Sequence, residues 1–222
     1  MPAIRPAPAV STFPPAPYLD RPSGRGWHAR LGALVLSMLG WRIVLAQPVP
    51  MHCVVVFCPH TSNWDFVIGL AAKWVMGIHF RFIAKDSMFV WPFARMFERW
   101  GGIPVNRREH TGVIGQLAAR FALEDDFRLA IAPEGTRSRT EHWKSGFYQL
   151  AHAAGVPLAL AFIDYPNRRI GIGADLAVSA DQDADMAAIA SFYADKSGKR
   201  PENSGPVRLA DQERRPSPVR TS

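Results

Sequence analysis

The sequence predicts an α/β fold with a central, mostly parallel sheet and helices on both faces. From residue 53 onward, short runs rich in β-branched residues alternate with longer stretches of helical periodicity. The apolar runs are continuous, which is typical of parallel strands covered on both sides. A chain of 222 residues is also long enough for one domain with a substantial core.

The first strand and helix set this pattern. Residues 53–58 form a continuous apolar run and are predicted to be a buried strand. A helix is predicted at 62–76, with Ser62 as its N-cap. Asp65 follows three positions later, which is the spacing of a capping box.

The next elements continue the alternation up to residue 124. Strands are predicted at 79–84 and 103–105, the second after a tight glycine turn. The aromatic segment 89–100 has apolar residues at helical spacing, so we predict a helix whose stripe faces the core; a stripe that lines the site or faces a membrane is the alternative. A further helix is predicted at 111–124.

The last third of the domain repeats the pattern. Strands are predicted at 127–132 and 156–163, with a shorter strand at 168–172. The helix between the first two, 146–155, ends at a glycine. A final helix is predicted at 181–196.

The chain ends differ in composition from this domain. The composition of residues 1–26 predicts a disordered Pro-rich leader, and that of residues 198–222 predicts a disordered basic tail. The α/β domain is predicted at 51–197. Between the leader and the domain, the apolar composition of residues 27–50 predicts a membrane-associated helix followed by a linker. Its apolar part, 31–46, would span about 24 Å as a helix, less than the roughly 30 Å of a hydrocarbon core.

Three interpretations of this helix remain. Arg42 interrupts the apolar run, and Trp27 and Trp41 lie near its ends, as side chains at a membrane interface do. We therefore expect a helix lying in the membrane surface, on the cytoplasmic face of the cell membrane. Packing of the helix on the domain itself is the alternative. A signal peptide is disfavoured, because no Ala-x-Ala cleavage site follows.

Charge and cysteine content restrict the partners and the compartment. The formal charge of +7 predicts an anionic partner, such as a membrane surface or a phosphorylated substrate. Cys53 and Cys58 lie five apart on one strand and must face opposite sides, so they cannot form a disulfide. The same alternation scatters the side chains of the neighbouring His52 and His60, so we expect no metal site. Because no disulfide is predicted, we expect a reducing compartment.

His60 and Asp65 form the first candidate for catalysis. His60 follows the carboxyl end of a buried strand, where open α/β sheets bind their ligands. Asp65 lies in the first helical turn and leans back toward it. A carboxylate on one imidazole nitrogen would leave the other free to take a proton from an alcohol. No Gly-x-Ser-x-Gly elbow is present, so the nucleophile is expected to be a hydroxyl of the substrate.

Two further loops carry residues that suit a phosphate. The stretch 101–108 joins a glycine turn to paired arginines, and 132–139 follows a predicted strand. Glycine allows close approach of the backbone to an anion, and arginine matches phosphate oxygens with its planar fork. The three loops together predict a site for a phosphorylated alcohol.

These residues resemble the motifs of the glycerophospholipid acyltransferase family, which includes the lysophosphatidic acid acyltransferases. His60 and Asp65 match its His-x4-Asp block, and 101–107 resembles its Gly-x-Ile/Phe-x-x-x-Arg block. Its Pro-Glu-Gly-Thr-Arg-Ser block is intact at 133–138. The fourth block is half present, because Leu160 occupies the place of its second proline. That departure leaves the shape of the acyl pocket and the choice of substrate open.

The resemblance implies an acyltransferase domain at 51–197 and a catalytic mechanism. His60, oriented by Asp65, would deprotonate a hydroxyl of a lysophospholipid acceptor, which attacks the thioester of acyl-CoA or acyl carrier protein. Neither a metal nor a further cofactor is implied. Glu134 is expected to pair with an arginine or to bond backbone amides. The resemblance implies a substrate-binding set comprising Gly102, Ile103, Val105, Arg107, Glu134, Gly135, Thr136 and Arg137.

Other functions remain as alternatives. Membrane lipids are the expected partners; a nucleic-acid binder would explain the charge, but not the three polar loops. A thioester hydrolase could use the same dyad with water, and a catalytically silent relative could bind membranes. Cys58 as an acyl-carrying nucleophile is disfavoured, because cysteines at strand ends are usually buried and inert. The sequence leaves the oligomeric state open.

Overall fold

The computed structural model describes residues 13, 16–19, 22–46, 48–105 and 112–210. The helices in these ranges are α1 (Trp27–Met38), α2 (Trp64–Met76), α3 (Ala94–Arg99), α4 (Val113–Leu123), α5 (Gly146–Ala154) and α6 (Gln182–Tyr193). The strands are β1 (Arg42–Leu45), β2 (His52–Cys58), β3 (Phe80–Lys85), β4 (Gly102–Val105), β5 (Phe127–Ile131), β6 (Leu158–Asp164) and β7 (Arg169–Leu176). Short 3-10 turns follow at Asp86–Met88 and Pro201–Asn203.

The strands form one sheet in the order β1-β7-β6-β2-β5-β3-β4. Strands β6 and β7 pair antiparallel, and the other neighbouring strands pair in parallel. The prediction of a mostly parallel sheet is therefore confirmed. Strand β2 lies at its centre, between β6 and β5, so the residues that follow β2 have neighbours on both sides.

Helices cover both faces of the sheet, as predicted. Helices α1 and α2 pack on one face, where Ile68 and Val75 meet the buried Ala159 of β6. Helices α4, α5 and α6 pack on the other, through Phe121, Phe147 and other buried apolar side chains. Cys53 belongs to the first core and Cys58 to the second, so the two free thiols face opposite sides of β2.

The predicted helix at 27–46 is shorter than expected. Helix α1 ends at Met38, and Gly40 adopts a positive φ of 70° that turns the chain. Arg42–Leu45 then form β1 and pair with β7. The predicted boundary at residue 51 is therefore wrong, because β1 belongs to the sheet. An apolar run has no periodicity of its own by which helix and strand can be distinguished.

Helix α1 has one packed face and one exposed face. Ala29, Gly32 and Leu36 are buried against α2. A Cβ at Gly32 would lie 2.7 Å from the carbonyl oxygen of Ala71, so only glycine allows this close packing. Among the described residues, no helix combines the length and hydrophobicity needed to cross a bilayer.

Parts of the predicted leader and tail belong to the fold. The amide of Leu19 donates to Ile43 of β1 over 2.9 Å, although most of 1–26 before this point lies outside the described residues. At the other end, Leu209 is fully buried in the core and Gly198 packs on Thr61. The boundary predicted at residue 198 is therefore wrong, because residues 198–210 contribute to the core. The rest of the predicted tail, 211–222, lies outside the described residues.

The prediction that the aromatic segment 89–100 faces the core is also wrong. Helix α3 has six residues, none of them buried, and it lies beside the edge strand β4. Phe97 and Trp100 contact the ring of Phe66 in α2, at centroid distances of 6.0 and 6.2 Å. Trp91, just before α3, is 91% exposed. The stripe is spaced as in a core helix, but it packs at the edge of the sheet, where Met96, Phe97 and Trp100 stay half-buried.

Candidate active site

The carboxyl ends of three neighbouring strands bring the candidate residues together. Strand β2 pairs in parallel with β5 on one side and with β6 on the other. The loops that follow these strands therefore meet at one edge of the sheet. They carry His60 after β2, Glu134 after β5 and Tyr165 after β6.

His60 and Asp65 lie as close as their spacing predicted. Nδ1 of His60 is 3.2 Å from Oδ2 of Asp65. The imidazole is 18% exposed, whereas the carboxylate is fully buried. Because Nδ1 faces the carboxylate, a neutral ring with its proton on Nδ1 would have Nε2 as its basic nitrogen. The pair has the geometry of a general base and its orienting acid.

The local structure differs from the capping box that was predicted. Helix α2 begins at Trp64, so Ser62 is not its N-cap and Asp65 is its second residue. The Asp65 carboxylate accepts hydrogen bonds from the backbone amides of Thr61 and Ser62, both at 2.8 Å. It closes the turn that contains His60, because an early helical side chain leans toward the residues before the helix.

Tyr165 completes the environment of Asp65. Its hydroxyl donates to Oδ1 over 2.7 Å, while Oδ2 faces His60. Burial opposes ionisation of Asp65, but the hydrogen bonds from His60, Tyr165 and Ser62 outweigh it and lower the pKa of the carboxyl. Asp65 is therefore ionised at neutral pH. Tyr165 was not predicted, since it lies 100 residues from Asp65 and belongs to no motif.

Glu134 supports the loop that carries His60. Its Oε2 accepts a hydrogen bond from the His60 backbone amide over 2.8 Å, in agreement with the expected bonding to amides. Burial raises the pKa of this carboxyl, although the bond from the His60 amide opposes the rise. Cys58 lies beside it, with Sγ 3.7 Å from Oε1. Burial and Glu134 raise the pKa of the Cys58 thiol well above its usual range, which disfavours a nucleophilic role.

The remaining residues of the loop after β5 turn toward solvent. Gly135 has a φ of +66°, and a Cβ there would lie 2.8 Å from Cε of Lys144. Thr136 and Arg137 are exposed. Within the described ranges, the guanidinium of Arg137 has no hydrogen bond or ion pair. The loop therefore presents, near Glu134, a cation that has no partner among the residues the structure describes.

The predicted residues on β4 lie apart from the dyad. Gly102, Ile103 and Val105 belong to this edge strand, which β5 and β3 separate from β2. A Cβ at Gly102 would come within 2.9 Å of the Phe89 ring, so the glycine allows close packing there. Arg107 lies outside the described residues.

An apolar cavity of about 190 Å³ begins at the dyad and runs between α2 and the sheet. His60 and Asp65 line it at the start of α2, and Lys73 and Met76 line it near the end of that helix. Its walls are mostly hydrocarbon, with lining side chains that include Val55, Phe66, Leu70, Phe82, Ile131 and Ile172. The cavity suits a chain of methylene groups better than a polar ligand.

Lys73 is a second residue that no motif indicated. Its ammonium donates to the carbonyl oxygens of Phe80 and Trp100, which ties α2 to the chain around β3 and α3. Burial, together with the nearby charge of Arg81, lowers the pKa of Lys73 to about 8. In the described part of the chain, no group of three His, Cys, Asp or Glu side chains is placed to hold a metal ion.

Comparisons with known proteins give one family and one fold. A family model described as acyltransferase matches residues 42–161, which is more than half of the chain and includes His60, Asp65 and Glu134. The fold is similar to that of the 1-acyl-sn-glycerophosphate (LPA) acyltransferase PlsC from Thermotoga maritima, with a TM-score of 0.52. The two share 17% identity, over 76% of this chain and 75% of that one. No protein with a curated description matches the sequence.

Proposed function

Because the chain belongs to the acyltransferase family, we propose that it transfers a fatty acyl chain from a thioester to a hydroxyl of a lysophospholipid-type acceptor. The family match and the shared fold support the resemblance to the glycerophospholipid acyltransferases. One observation carries the proposal on substrates. A half-buried imidazole beside a buried carboxylate lies at the mouth of an apolar cavity, so a base would stand next to the thioester end of an acyl chain held in that cavity.

The chemistry requires one proton to move twice. Nε2 of His60 takes the proton of the acceptor hydroxyl while the oxygen attacks the thioester carbonyl. Asp65 stabilises the resulting imidazolium, and its fixed hydrogen bonds keep the ring oriented. As the C–S bond breaks, the imidazolium returns the proton to the departing thiolate. The products are an ester and a free thiol, and the histidine is neutral again.

The cavity along α2 supports a fatty acyl substrate. Burial of apolar surface is worth about 0.8 kcal/mol for each methylene, so a chain in this cavity gains affinity with each carbon. The thioester would remain at the dyad, with its carrier outside the cavity. Acyl-CoA and acyl carrier protein both meet this requirement as donors.

The loop after β5 supports a phosphorylated acceptor. Arg137 is exposed and has no partner among the described residues, and the positive φ of Gly135 turns the chain just before it. Arginine forms paired hydrogen bonds with phosphate oxygens. We therefore assign Gly135, Thr136 and Arg137 to the acceptor phosphate, and Glu134 to positioning His60 through its amide.

We also propose that the protein works on a membrane surface, at the cytoplasmic face of the cell membrane. Acceptors with acyl chains reside in bilayers, and α1 exposes an apolar face.

The test is product analysis by mass spectrometry with purified protein, labelled acyl thioesters and a panel of lysophospholipids. Wild-type protein is expected to form the diacyl product and to release one thiol for each ester. His60→Ala should lower the rate by about two to four orders of magnitude, with its folding unchanged by circular dichroism. Equal transfer by His60→Ala would overturn the mechanism. Release of free fatty acid alone would identify a hydrolase instead.

A further inference from the structure

A second concave surface lies at the far end of α2 from the dyad. This groove has a volume of about 950 Å³ and lies between the start of α1 and α3. The cationic and titratable side chains that line it, besides Lys73, are Arg25, His28, His79, Arg95 and Arg99. No acidic residue is present among its described lining residues. We call it the basic groove.

The arginines of the basic groove are available to a ligand. Arg25, Arg95 and Arg99 are exposed. In the described ranges, none of the three guanidinium groups has a carboxylate partner or a hydrogen bond. Three cations without partners in the described part of the chain surround one concavity and hold a positive potential that attracts anions.

Tryptophan rings form the back of the groove. Trp74 and Trp100 meet edge to face, with ring centroids 6.2 Å apart, and Trp27 stacks on His28. Trp27 is 66% exposed at the mouth of the groove. Tryptophan beside arginine is the composition found at membrane interfaces, where the ring lies at headgroup level.

Exposed apolar side chains continue from both walls of the basic groove. On α1, Trp27, Leu31, Leu34 and Met38 recur at intervals of three and four residues, so they share the helix face opposite to α2. On the other wall, the segment 90–93 exposes further large apolar side chains. We call the whole set the apolar rim; its members are Trp27, Leu31, Leu34, Met38, Val90, Trp91 and Phe93.

The groove and the rim are one continuous surface. Trp27 belongs to both, and Pro92 of the segment 90–93 lines the groove next to Arg95. Soluble proteins seldom expose apolar patches of this extent without a partner. A partner that covers the whole surface must offer hydrocarbon to both walls and negative charge between them.

We propose that the basic groove and the apolar rim bind a bilayer that contains anionic lipids, with headgroup phosphates in the groove. The rim side chains enter the boundary between headgroups and acyl chains, and the three arginines contact phosphates. The inference specifies the membrane association proposed above and is independent of acyl transfer, because no residue of the dyad takes part.

A soluble nucleotide, such as the carrier part of acyl-CoA, fits the surface less well. It would use the arginines and the tryptophans, but the aliphatic side chains of Leu31, Leu34 and Met38 would remain in water. The groove also lies at the wrong end of α2. The 13 residues of this helix separate it from His60 by about 20 Å, along the cavity that the acyl chain would fill.

The test is co-sedimentation of the full chain with vesicles of phosphatidylcholine alone, and with vesicles of an equal mixture with phosphatidylglycerol. A triple variant, Arg25→Gln, Arg95→Gln and Arg99→Gln, should lose about fivefold in partition for each arginine on the anionic vesicles. Its weaker binding to neutral vesicles should be unchanged. Binding of the wild-type protein to anionic vesicles should also weaken as the salt concentration is raised, because salt screens the attraction between arginines and phosphates.

A matched triple variant controls for net charge. Arg120→Gln, Arg139→Gln and Arg200→Gln remove the same number of charges outside the groove, and partition should fall by less than about threefold. The proposal is overturned if the two triple variants bind anionic vesicles equally well. Both the proposal and membrane association fail if wild type binds neither kind of vesicle.

Two further variants separate the remaining explanations. The double variant Leu34→Ser and Trp91→Ser should bind both kinds of vesicle more weakly, because apolar insertion does not depend on lipid charge. His60→Ala should bind as wild type does, whatever its activity. Free CoA should not compete with the vesicles. If it does compete, and if the triple variant Arg25→Gln, Arg95→Gln and Arg99→Gln no longer binds it, the groove is a nucleotide site and the proposal is overturned.

Discussion

At the scale of single residues, the site depends on how one carboxylate is shared. Asp65 uses one oxygen for His60 and two backbone amides, and the other for the hydroxyl of Tyr165. A carboxylate with this many donors cannot rotate, so the imidazole it orients is held in one position. In the proposed mechanism, Tyr165 is therefore a positioning residue, which would act on His60 through Asp65.

Replacement of Tyr165 by phenylalanine tests this role. The variant loses a hydrogen bond to an ionised carboxylate, worth about 1.5–3 kcal/mol. We expect kcat to fall roughly tenfold, and KM to change by less than about twofold, because the ring still packs and no substrate contact is lost. Steady-state kinetics over a range of acceptor concentrations give both values.

The matched control is another tyrosine that donates to a buried carboxylate. Tyr148 bonds Asp185 over 2.8 Å on the opposite face of the sheet. Tyr148→Phe should lower stability to a similar extent in urea unfolding and leave kcat unchanged. An equal loss of kcat in both variants would show that the effect of Tyr165 is only structural.

At the scale of elements, α2 connects the catalytic end of the cavity to its far end. Asp65 lies in its first turn and Lys73 in its last, and both line the same cavity. The ammonium of Lys73 donates to two carbonyl oxygens, from Phe80 and Trp100, and so fixes the helix to the sheet edge. Its position in hydrocarbon has a cost, because burial disfavours the charged form.

This cost predicts a pH dependence of stability. The pKa of Lys73 is lowered to about 8 in the folded state, against 10.5 for the unfolded chain. Between these values the unfolded state binds the additional proton, so folding becomes more favourable as pH rises. We expect wild type to gain about 2 kcal/mol relative to Lys73→Met between pH 7 and pH 10. Urea unfolding of both proteins at each pH measures the difference, and a constant difference would contradict the prediction.

The elements also show how far sequence patterns reach. Strand β2 and helix α2 were predicted because a β-branched run and a helical period are local properties. Strand β1 was not, because its four residues continue an apolar helix and only pairing with β7 makes them extended. The dyad was predicted from spacing alone, whereas Tyr165 reaches it only through the parallel pairing of β2 with β6.

At the scale of the whole molecule, the chain closes on itself near the site. Residues 198–210 were expected to be a disordered tail, since they are polar and contain proline. Instead, the hydroxyl of Thr61 accepts a hydrogen bond from the amide of Arg200 over 3.2 Å. Leu209 is fully buried, next to a bridge with Trp143. Two isolated apolar side chains in a polar segment, Val207 and Leu209, show no period, so their packing on the core cannot be predicted from pattern.

Leu209→Ala tests whether this segment stabilises the domain. Removing a fully buried leucine should cost about 2–5 kcal/mol, because the lost burial and the cavity left behind both contribute. The control is Leu123→Ala, since Leu123 is 82% exposed and should change stability by less than about 0.5 kcal/mol. Urea unfolding followed by tryptophan fluorescence measures both. Equal values would show that residues 198–210 add nothing to the stability of the domain.

The contact between Gly198 and Thr61 has a consequence for synthesis on the ribosome. The catalytic loop is translated early, but a packing partner of its Thr61 side chain is translated some 140 residues later. Domains acquire their tertiary contacts as the nascent chain leaves the exit tunnel. The loop that carries His60 and Asp65 therefore completes its contacts only after Gly198 and Arg200 have left the exit tunnel, so a shorter nascent chain lacks the packing partner of Thr61.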